Sequence, residues 1–509
     1  MAGTTNHVQK SFDGTYANTE LVIALVGAVG TPHKLVVDEL VGRLKTLNYK
    51  TKEIRVSNHV IGTLYNDIPN GSSSEYDRIT AYIDRGNKAR AESKDNSILA
   101  LGVCSEIFKN REQDEQHNIK PKERTAYIIN SLKHPEEVKR LRRIYMDGFY
   151  LIGVYSDEER RRDYLVKDKS IEPEKAKQLI ERDADETESY GQHTRDTFHL
   201  ADFFVHLDHD IDKFKKSIWR ILDLMFGNPY ITPNFDEYAM FMAFTSALRS
   251  ADLSRQIGAV IARENEIIAT GANDCPKAGG GLYWPVYNEH SNEYMDILGG
   301  RDHTRKEDSN KMEQQKMIDD ILKHLPESVD KTAIKNTLSK SRIRDLTEFG
   351  RVVHAEMEAL LFCARNTVSA RNATLYTTTF PCHNCAKHII SAGITRVVYV
   401  EPYPKSKAFE FHSDSIKTKD SPNPEKVAFE PFVGIGPRKF FDLFSMRLSS
   451  GYEVFRKDDN GRVLPWECKN NPARMQMLPC SYLDQETFAT QKFAQHKEKL
   501  EEKNEQPTT

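Results

Sequence analysis

Two cysteines in the stretch "TTFPCHNCAKHII" limit the possible folds of this chain more than any other part of it. Cys382 and Cys385 stand three residues apart directly after Pro381, and His354 lies about 28 residues upstream. Two thiols and an imidazole are a common ligand set for zinc. Because one ion must contact all three ligands, the segments that carry them have to fold against each other. We therefore predict that His354, Cys382 and Cys385 bind Zn²⁺.

Three protein ligands leave the fourth zinc position for water, which is the arrangement of a catalytic site. Glu356 follows His354 by two residues, so the full pattern is H-x-E followed by P-C-x-x-C. This pattern is the signature of zinc-dependent nucleobase deaminases. A redox cysteine pair, or a structural zinc completed by another His or Cys, is the alternative. Neither alternative needs the carboxylate of Glu356.

The residues around the pattern predict two helices separated by a strand. His354 and Glu356 are expected near the start of one helix, and Cys382 and Cys385 at the start of the next. Helix N-termini favour negative charge and so help to keep the cysteines as thiolates. Glu356 is predicted to take a proton from water, pass it to the base and help ammonia to leave.

Continuous apolar runs alternate with helical patterns, which predicts an α/β fold with parallel strands covered on both faces. We predict buried strands at five runs of the first half: Leu21–Gly27, Ser97–Val103, "TAYIINSL", "FYLIGVYS" and Leu200–Leu207. A second α/β series follows "GNPYITPN". It contains the strand "QIGAVIAREN" with a hairpin partner, "EIIATGAN".

The Gly and Pro residues near 228–234 mark the best domain boundary. The predicted organisation is an extension at 1–19, an α/β domain at 20–228, a second α/β domain at 229–491 that carries the zinc pattern and an insertion at about 276–341, and a charged tail at 492–509.

Composition excludes some classes of protein. Net charge is −3, so no overall basic field points to nucleic acid binding. There is no apolar run of about 18 residues and no signal-peptide pattern. Seven cysteines in 509 residues do not form a disulfide framework. We expect a cytoplasmic protein with no membrane segment.

The segments "SALRSADLSRQIGAVIARENEIIATGAND", "HAEMEAL" and "TLYTTTFPCHNCAKHIISAGITRVVYVEPYPKSKA" resemble the deoxycytidylate deaminases. The resemblance implies a cytidine-deaminase-like three-layer α/β/α domain. It also implies that Asn273 contacts the deoxyribose, Tyr403 stacks on the pyrimidine, and Lys405 helps to hold phosphate. Two positions depart from the family pattern: Glu358 replaces an Asn, and "GAND" replaces "GYNG".

With its N-terminal domain included, the chain resembles the two-domain bacterial antiphage deoxycytidylate deaminases, which implies a P-loop-kinase-like domain at 20–228, with a parallel sheet covered by helices on both faces, and a deoxycytidylate deaminase domain at 229–491. That resemblance implies consumption of dCMP and dCTP during phage infection and a homo-oligomer, plausibly a hexamer. A nucleotide effector and a small inhibitory RNA are further partners that it makes possible.

The loop after the first strand matches the phosphate-binding P-loop only in part. "GAVGTPHKL" places Gly27, Gly30 and Lys34 near phosphate-binding positions, but Pro32 and His33 stand where Gly and Lys belong. Proline has no amide donor. This domain is therefore expected to be a scaffold or regulatory domain; a nucleotide sensor and an active kinase are the alternatives.

Together these features predict a zinc-dependent deaminase of deoxycytidine nucleotides. One alternative is a deaminase of tRNA adenosine or of single-stranded polynucleotide. The other is a nucleotide- or RNA-binding regulator with a vestigial zinc site.

Overall fold

A computed structural model describes residues 17–65, 74–113, 119–185, 190–207, 210–346, 348–402, 406–418 and 423–479. The chain forms two compact units. The first comprises residues 1–233 together with 433–509, and the second comprises residues 234–432. None of the helices in the described residues is both long and apolar enough to cross a membrane.

The first unit is built on a six-stranded sheet in the order β16–β7–β6–β1–β5–β2. All its neighbouring strands are parallel except the antiparallel pair β16–β7. We number strands in chain order. Those of this unit are β1 (Leu21–Val26), β2 (Lys50–Arg55), β3 (Glu112–Gln113), β4 (Ile119–Lys120), β5 (Thr125–Asn130), β6 (Phe149–Tyr155), β7 (Phe203–His206) and β16 (Gly434–Ile435); β3 and β4 form a separate two-stranded sheet.

Every residue of the central strand β1 is buried, as expected for a parallel sheet with helices on both faces. The helices are α1 (His33–Thr46), α2 (Glu75–Ser93), α3 (Ile98–Lys109), α4 (Pro135–Tyr145), α5 (Glu158–Asp163), α6 (Pro173–Asp185), α7 (Thr194–Phe198), α8 (Ile211–Met225) and α16 (Pro437–Phe444). Short π- or 3₁₀-type turns lie at Val56–Ile61, Met146–Gly148, Tyr164–Asp168 and Cys468–Asn470, and a single α-helical turn lies at Gly62–Leu64. The parallel α/β architecture predicted from the sequence is confirmed.

The strand predicted at Ser97–Val103 is wrong, because this segment begins helix α3. Leu99, Val103 and Ile107 recur every four residues and are all buried on one side of the helix. Short apolar runs do not distinguish a buried strand from a buried helix by composition.

The C-terminal segment belongs to the first unit, whereas the sequence analysis assigned residues up to 491 to the deaminase domain. The physical reason is strand pairing: Gly434 and Ile435 pair with Phe204 and Phe203 at the edge of the first sheet. The second unit accordingly ends at Phe432. The predicted tail at 492–509 lies outside the described residues, as do residues 1–16 of the predicted extension.

The second unit has a six-stranded sheet in the order β14–β15–β13–β12–β8–β9. Strands β12, β13, β15 and β14 run parallel, while the hairpin β8–β9 joins antiparallel to β12. Its strands are β8 (Gly258–Arg263), β9 (Glu266–Ala272), β10 (Val286–Asn288), β11 (Glu293–Met295), β12 (Thr374–Thr379), β13 (Arg396–Glu401), β14 (Ile416–Thr418) and β15 (Val427–Pro431); β10 and β11 form a separate hairpin. The predicted hairpin is confirmed.

Two glycines show that helices lie on opposite faces of this sheet. The helices are α9 (Phe235–Ala247), α10 (Asp302–Arg305), α11 (Ser309–Lys323), α12 (Lys331–Leu338), α13 (Ala355–Arg365), α14 (His383–Ser391) and α15 (Ala408–Phe411), with a 3₁₀ turn at Arg342–Asp345. A Cβ on Gly258 would lie 1.9 Å from the carbonyl oxygen of Ala243 in α9. A Cβ on Gly271 would lie 2.1 Å from that of Ala355 in α13. Gly271 pairs with Ala259, the residue after Gly258, so the two glycines face opposite sides.

The insertion is folded and is fastened to the core of the second unit. Asp274, at the end of β9, is buried, and its carboxylate accepts a 2.8 Å hydrogen bond from the buried Arg301 guanidinium. Arg301 also donates to the carbonyl of Tyr283. Loss of either residue would leave an uncompensated buried charge, which costs about 3–5 kcal/mol, so both residues are needed to keep the insertion in this position.

Candidate active site and metal centre

Helix ends place the three metal-ligand candidates as the sequence predicted. His354 is the residue immediately before α13, and the preceding Val353 donates its N–H to the Asp274 carbonyl at 3.0 Å. Cys382 caps α14: its sulfur accepts the Cys385 N–H at 3.4 Å. Both thiols therefore lie in the positive field of a helix N-terminus.

The ligand atoms of these three residues all lie within 4.8 Å of one another. The distances from His354 Nδ1 are 3.4 Å to Cys382 Sγ and 3.3 Å to Cys385 Sγ. Tetrahedral zinc with ordinary bond lengths holds its sulfur and nitrogen ligands roughly 3.6 Å apart. The cluster therefore fits zinc with only small adjustments, and its donor atoms are those that zinc prefers.

Hydrogen bonds inside the cluster divide the protons unequally. The hydrogen bond from Cys385 is the largest influence that lowers the pKa of Cys382, to about 4. The same hydrogen bond raises the pKa of Cys385 well above its ordinary value. The contact with Cys382 raises the pKa of His354 to about 9. A metal ion that binds here displaces protons from His354 and Cys385.

Glu356 lies beside the ligands without joining them. Its side chain, in the first turn of α13, is 4% exposed and within hydrogen-bonding reach of the Cys385 thiol. Burial raises the pKa of its carboxyl group. A buried carboxyl group with a raised pKa is suited to accept a proton and return it during a reaction.

A cavity of about 290 Å³ opens onto this cluster. His354, Cys382 and Glu356 lie in its wall, and so does Phe380, whose ring packs edge-to-face against Tyr399. The insertion contributes Asp302, Asp308 and Asn310 to the cavity wall. The volume is close to the lower end of the range for small-molecule sites, roughly 300–1,000 Å³.

A model of the cytidine and deoxycytidylate deaminase zinc-binding region matches residues 233–401. The deoxycytidylate deaminase of Enterobacteria phage T2 is 34% identical over 169 residues, which are 33% of this chain and 79% of the phage protein. The chain belongs to the cytidine and deoxycytidylate deaminase family. The deoxycytidylate deaminase of phage T4 is 31% identical over 33% of this chain and 77% of its own length.

A solved structure, the dCMP deaminase of cyanophage S-TIM5, covers 40% of this chain and 100% of its own. It has 17% identity and a TM-score of 0.22, a likeness too weak to carry an argument. The matching relatives and the ligand cluster make the protein a zinc-dependent hydrolytic deaminase. The prediction that zinc is the cofactor is confirmed, and the assignment of its ligands to His354, Cys382 and Cys385 stays a prediction.

The deaminase places Asn273 in the cavity wall, but its amide is already engaged. The side-chain oxygen accepts the Ile257 N–H at 2.6 Å, and the nitrogen donates to the Arg255 carbonyl at 2.8 Å. Asn273 thus holds the loop before β8 in position. The other two predicted substrate residues, Tyr403 and Lys405, lie outside the described residues.

Sequence reasoning missed two arginines of the cavity. Arg255 bonds Glu401 at 2.8 Å, and Arg351 bonds Asp302 at 2.6 Å. The run "SRQIGAVI" contained a signal for Arg255, because a basic residue there precedes a strand that borders the site. Arg351 carried no such signal, since its partner Asp302 lies in the insertion.

Both departures from the family pattern form ion pairs in the deaminase. Asp274, in "GAND", pairs with Arg301, and Glu358 pairs with Arg365 about two turns along α13. The altered residues therefore stabilise structure around the pocket and leave the metal ligands unchanged.

The glycine loop, the segment from Gly27 to Lys34 after β1, has groups that are already bonded within the protein and so differs from a phosphate-binding P-loop. Lys133 Nζ donates to the Gly27 carbonyl at 2.8 Å, and Gly30 has a φ of +84° that favours glycine. Lys34 is exposed and pairs with Asp38 on the next turn of α1. These are the three residues that the sequence singled out for nucleotide binding.

Proposed function

We propose that this deaminase converts deoxycytidine nucleotides, dCMP or dCTP, into deoxyuridine nucleotides and ammonia. The observation that carries the proposal is the buried Glu356 carboxyl group beside three converging zinc ligand atoms at the end of one cavity. The deoxycytidylate deaminases of phages T2 and T4 support the choice of base and sugar.

His354, Cys382 and Cys385 would hold the zinc ion, which would supply the Lewis acidity that makes a nearby water molecule far more acidic than bulk water. Glu356 accepts a proton from that water and delivers it to ring nitrogen N3 of cytosine. The water oxygen then bonds to C4. Glu356 takes the second proton from this oxygen and gives it to the amino group, so the C4–N bond breaks and ammonia leaves.

Arg255 is our candidate for the substrate phosphate. Of the two arginines in the cavity wall, it has the more exposed side chain, 42% against 25% for Arg351. Asn273 holds the Arg255 carbonyl, and Asp252 accepts the Arg255 N–H at 3.0 Å. These two hydrogen bonds hold the backbone of Arg255 in place beside the cavity. Its guanidinium group is therefore available to bind a phosphate dianion there.

The substrate class is tested with a panel. Purified zinc-loaded protein is incubated with dCMP, dCTP, dC, CMP, a single-stranded oligodeoxynucleotide and a tRNA anticodon stem-loop, and ammonia and products are quantified. We expect turnover of dCMP or dCTP at least about tenfold above every other member of the panel. Faster turnover of the oligonucleotide or the tRNA would replace this proposal with polynucleotide deamination. A full complement of bound zinc with no turnover of any compound in the panel would indicate a binding protein.

We expect Arg255→Gln to raise KM for the nucleotide by about tenfold or more while changing kcat less, because one charge-assisted phosphate contact is lost. Steady-state kinetics with dCMP and dCTP measure the effect. Arg263→Gln is the matched control, since Arg263 lies at the end of β8 and bonds the Ser369 carbonyl. Equal KM values for Arg255→Gln and the parent would refute the phosphate role.

The wider role we propose is depletion of dCTP during phage infection. In this proposal the first unit is a P-loop-kinase-like domain with a regulatory role. The protein acts in the cytoplasm as a homo-oligomer, and a nucleotide effector or a small RNA controls its activity. The strand–glycine loop–helix order of β1 and α1 supports that description of the first unit.

A further inference from the structure

We propose that a second cavity, in the first unit, binds a phosphomonoester of nucleoside-monophosphate size, with Arg55, Arg78 and Lys169 at its phosphate end. We call it the N-terminal cavity. It has a volume of about 350 Å³ and is lined from α2, from the end of β2 and from the segment around Tyr164. This inference is independent of the deamination reaction.

The charge of the lining residues favours an anion. Among the lining residues that the structure describes, six are Lys or Arg and only Glu137 is acidic. The basic residues are Lys34, Arg55, Arg78, Arg90, Lys133 and Lys169. A concave wall of one sign concentrates ligands of the opposite sign.

Three of these cations are incompletely neutralised. Arg78 and Lys169 share one carboxylate, that of Glu75. Arg55 pairs with Glu53 and is close enough to Arg78 for the two positive charges to affect each other; Asp38, which also attracts Arg55, is the ion-pair partner of Lys34. Three cations therefore face two carboxylates, and all three side chains are about one third to one half exposed. The positive charge that remains uncompensated favours the binding of an anionic phosphate group.

The rest of the cavity suits the organic part of such a ligand. Ile61, Ile83 and Leu99 line it and are 6%, 4% and 2% exposed. Thr31 also lines it and is 8% exposed, and its hydroxyl has no hydrogen-bond partner among the described residues. A buried polar group without a partner is unfavourable, so a ligand that bonds this hydroxyl would gain affinity.

The glycine loop itself has few free groups for phosphate. The Val29 N–H donates to the Asp183 carboxylate at 2.9 Å, and the Thr31 and His33 N–H groups donate to loop carbonyls. Pro32 has no N–H. Burial, assisted by Lys133, lowers the pKa of His33 to about 4, so its imidazole is neutral at pH 7. The arginine and lysine side chains are therefore the phosphate-binding groups of this cavity.

Isothermal titration calorimetry on the full zinc-loaded chain tests the proposal with AMP, GMP and dTMP, and with adenosine and inorganic phosphate as the two halves of a ligand. We expect at least one monophosphate to bind at least about tenfold more tightly than either half. Equal affinity for inorganic phosphate or for the nucleoside would overturn the proposal, as would no binding of any monophosphate at about millimolar concentration.

Variants locate the site. We expect Arg78→Gln and Lys169→Gln each to weaken monophosphate binding by about tenfold, and Glu75→Gln to tighten it, because a competing carboxylate becomes neutral. A gain in affinity does not arise from disturbed folding, and circular dichroism checks each variant. Lys88→Gln, on α2 beside Glu92, is the control and should bind like the parent. Unchanged affinity in both Arg78→Gln and Lys169→Gln, or weaker binding in Glu75→Gln, would place the ligand elsewhere.

Discussion

Glu356→Gln is expected to lower kcat for deamination by about a thousandfold while zinc content and folding remain those of the parent. General acid–base catalysis by a single side chain contributes about 10²–10⁴-fold. The amide keeps the shape of the carboxyl group but does not carry a proton from water to the base. Product formation from dCMP or dCTP gives the rate, and atomic absorption gives zinc per chain.

Glu358→Gln is the matched control because it makes the same change two residues along the same helix. Glu358 is also buried, but its carboxylate pairs with Arg365 and does not line the cavity. We expect this variant to lose some thermal stability and to keep a kcat within about threefold of the parent. Undiminished turnover in Glu356→Gln would remove this carboxyl group from the mechanism.

The metal centre could be predicted from sequence because its four residues form two pairs, and the members of each pair lie within three residues of each other at the start of one helix. The start of α13 fixes His354 relative to Glu356, and the start of α14 fixes Cys382 relative to Cys385. Strand β12, which lies between the two helices in the chain, brings the start of α14 close to the start of α13. Residues whose positions depend on separate segments were not predictable. Arg351 enters the cavity wall with its guanidinium bonded to Asp302 of the insertion, a partner 49 positions away.

The fold shows the same contrast between features set by local sequence and features set by contacts with distant segments. Strand β1 is buried along its whole length, so its continuous apolar run was enough to predict it as a strand. Strand β2, "KTKEIR", lies at the edge of the first sheet, where only Ile54 is buried, and it was missed because it is mostly polar. The end of the second unit was placed too late, since the pairing of Gly434 with Phe204 joins residues more than 200 positions apart.

Cys385→Ser is expected to remove most of the zinc and reduce deamination to background. A serine hydroxyl does not ionise near neutral pH and is a poor zinc ligand, so only His354 and Cys382 would remain. Because zinc binds the folded protein, its loss should also lower the midpoint of thermal unfolding. Zinc per chain, ammonia release and thermal melting measure the three effects.

Cys363→Ser separates loss of the ligand from loss of a buried sulfur. Cys363 is as deeply buried as Cys385, at 2% and 1% exposed, and lies on α13 away from the ligand cluster. This control should retain about one zinc per chain and parental kcat, although burial of a hydroxyl costs it some stability. If Cys385→Ser also retained its zinc and its turnover, the metal would be held by other residues, and Glu356 would no longer lie beside the reacting water.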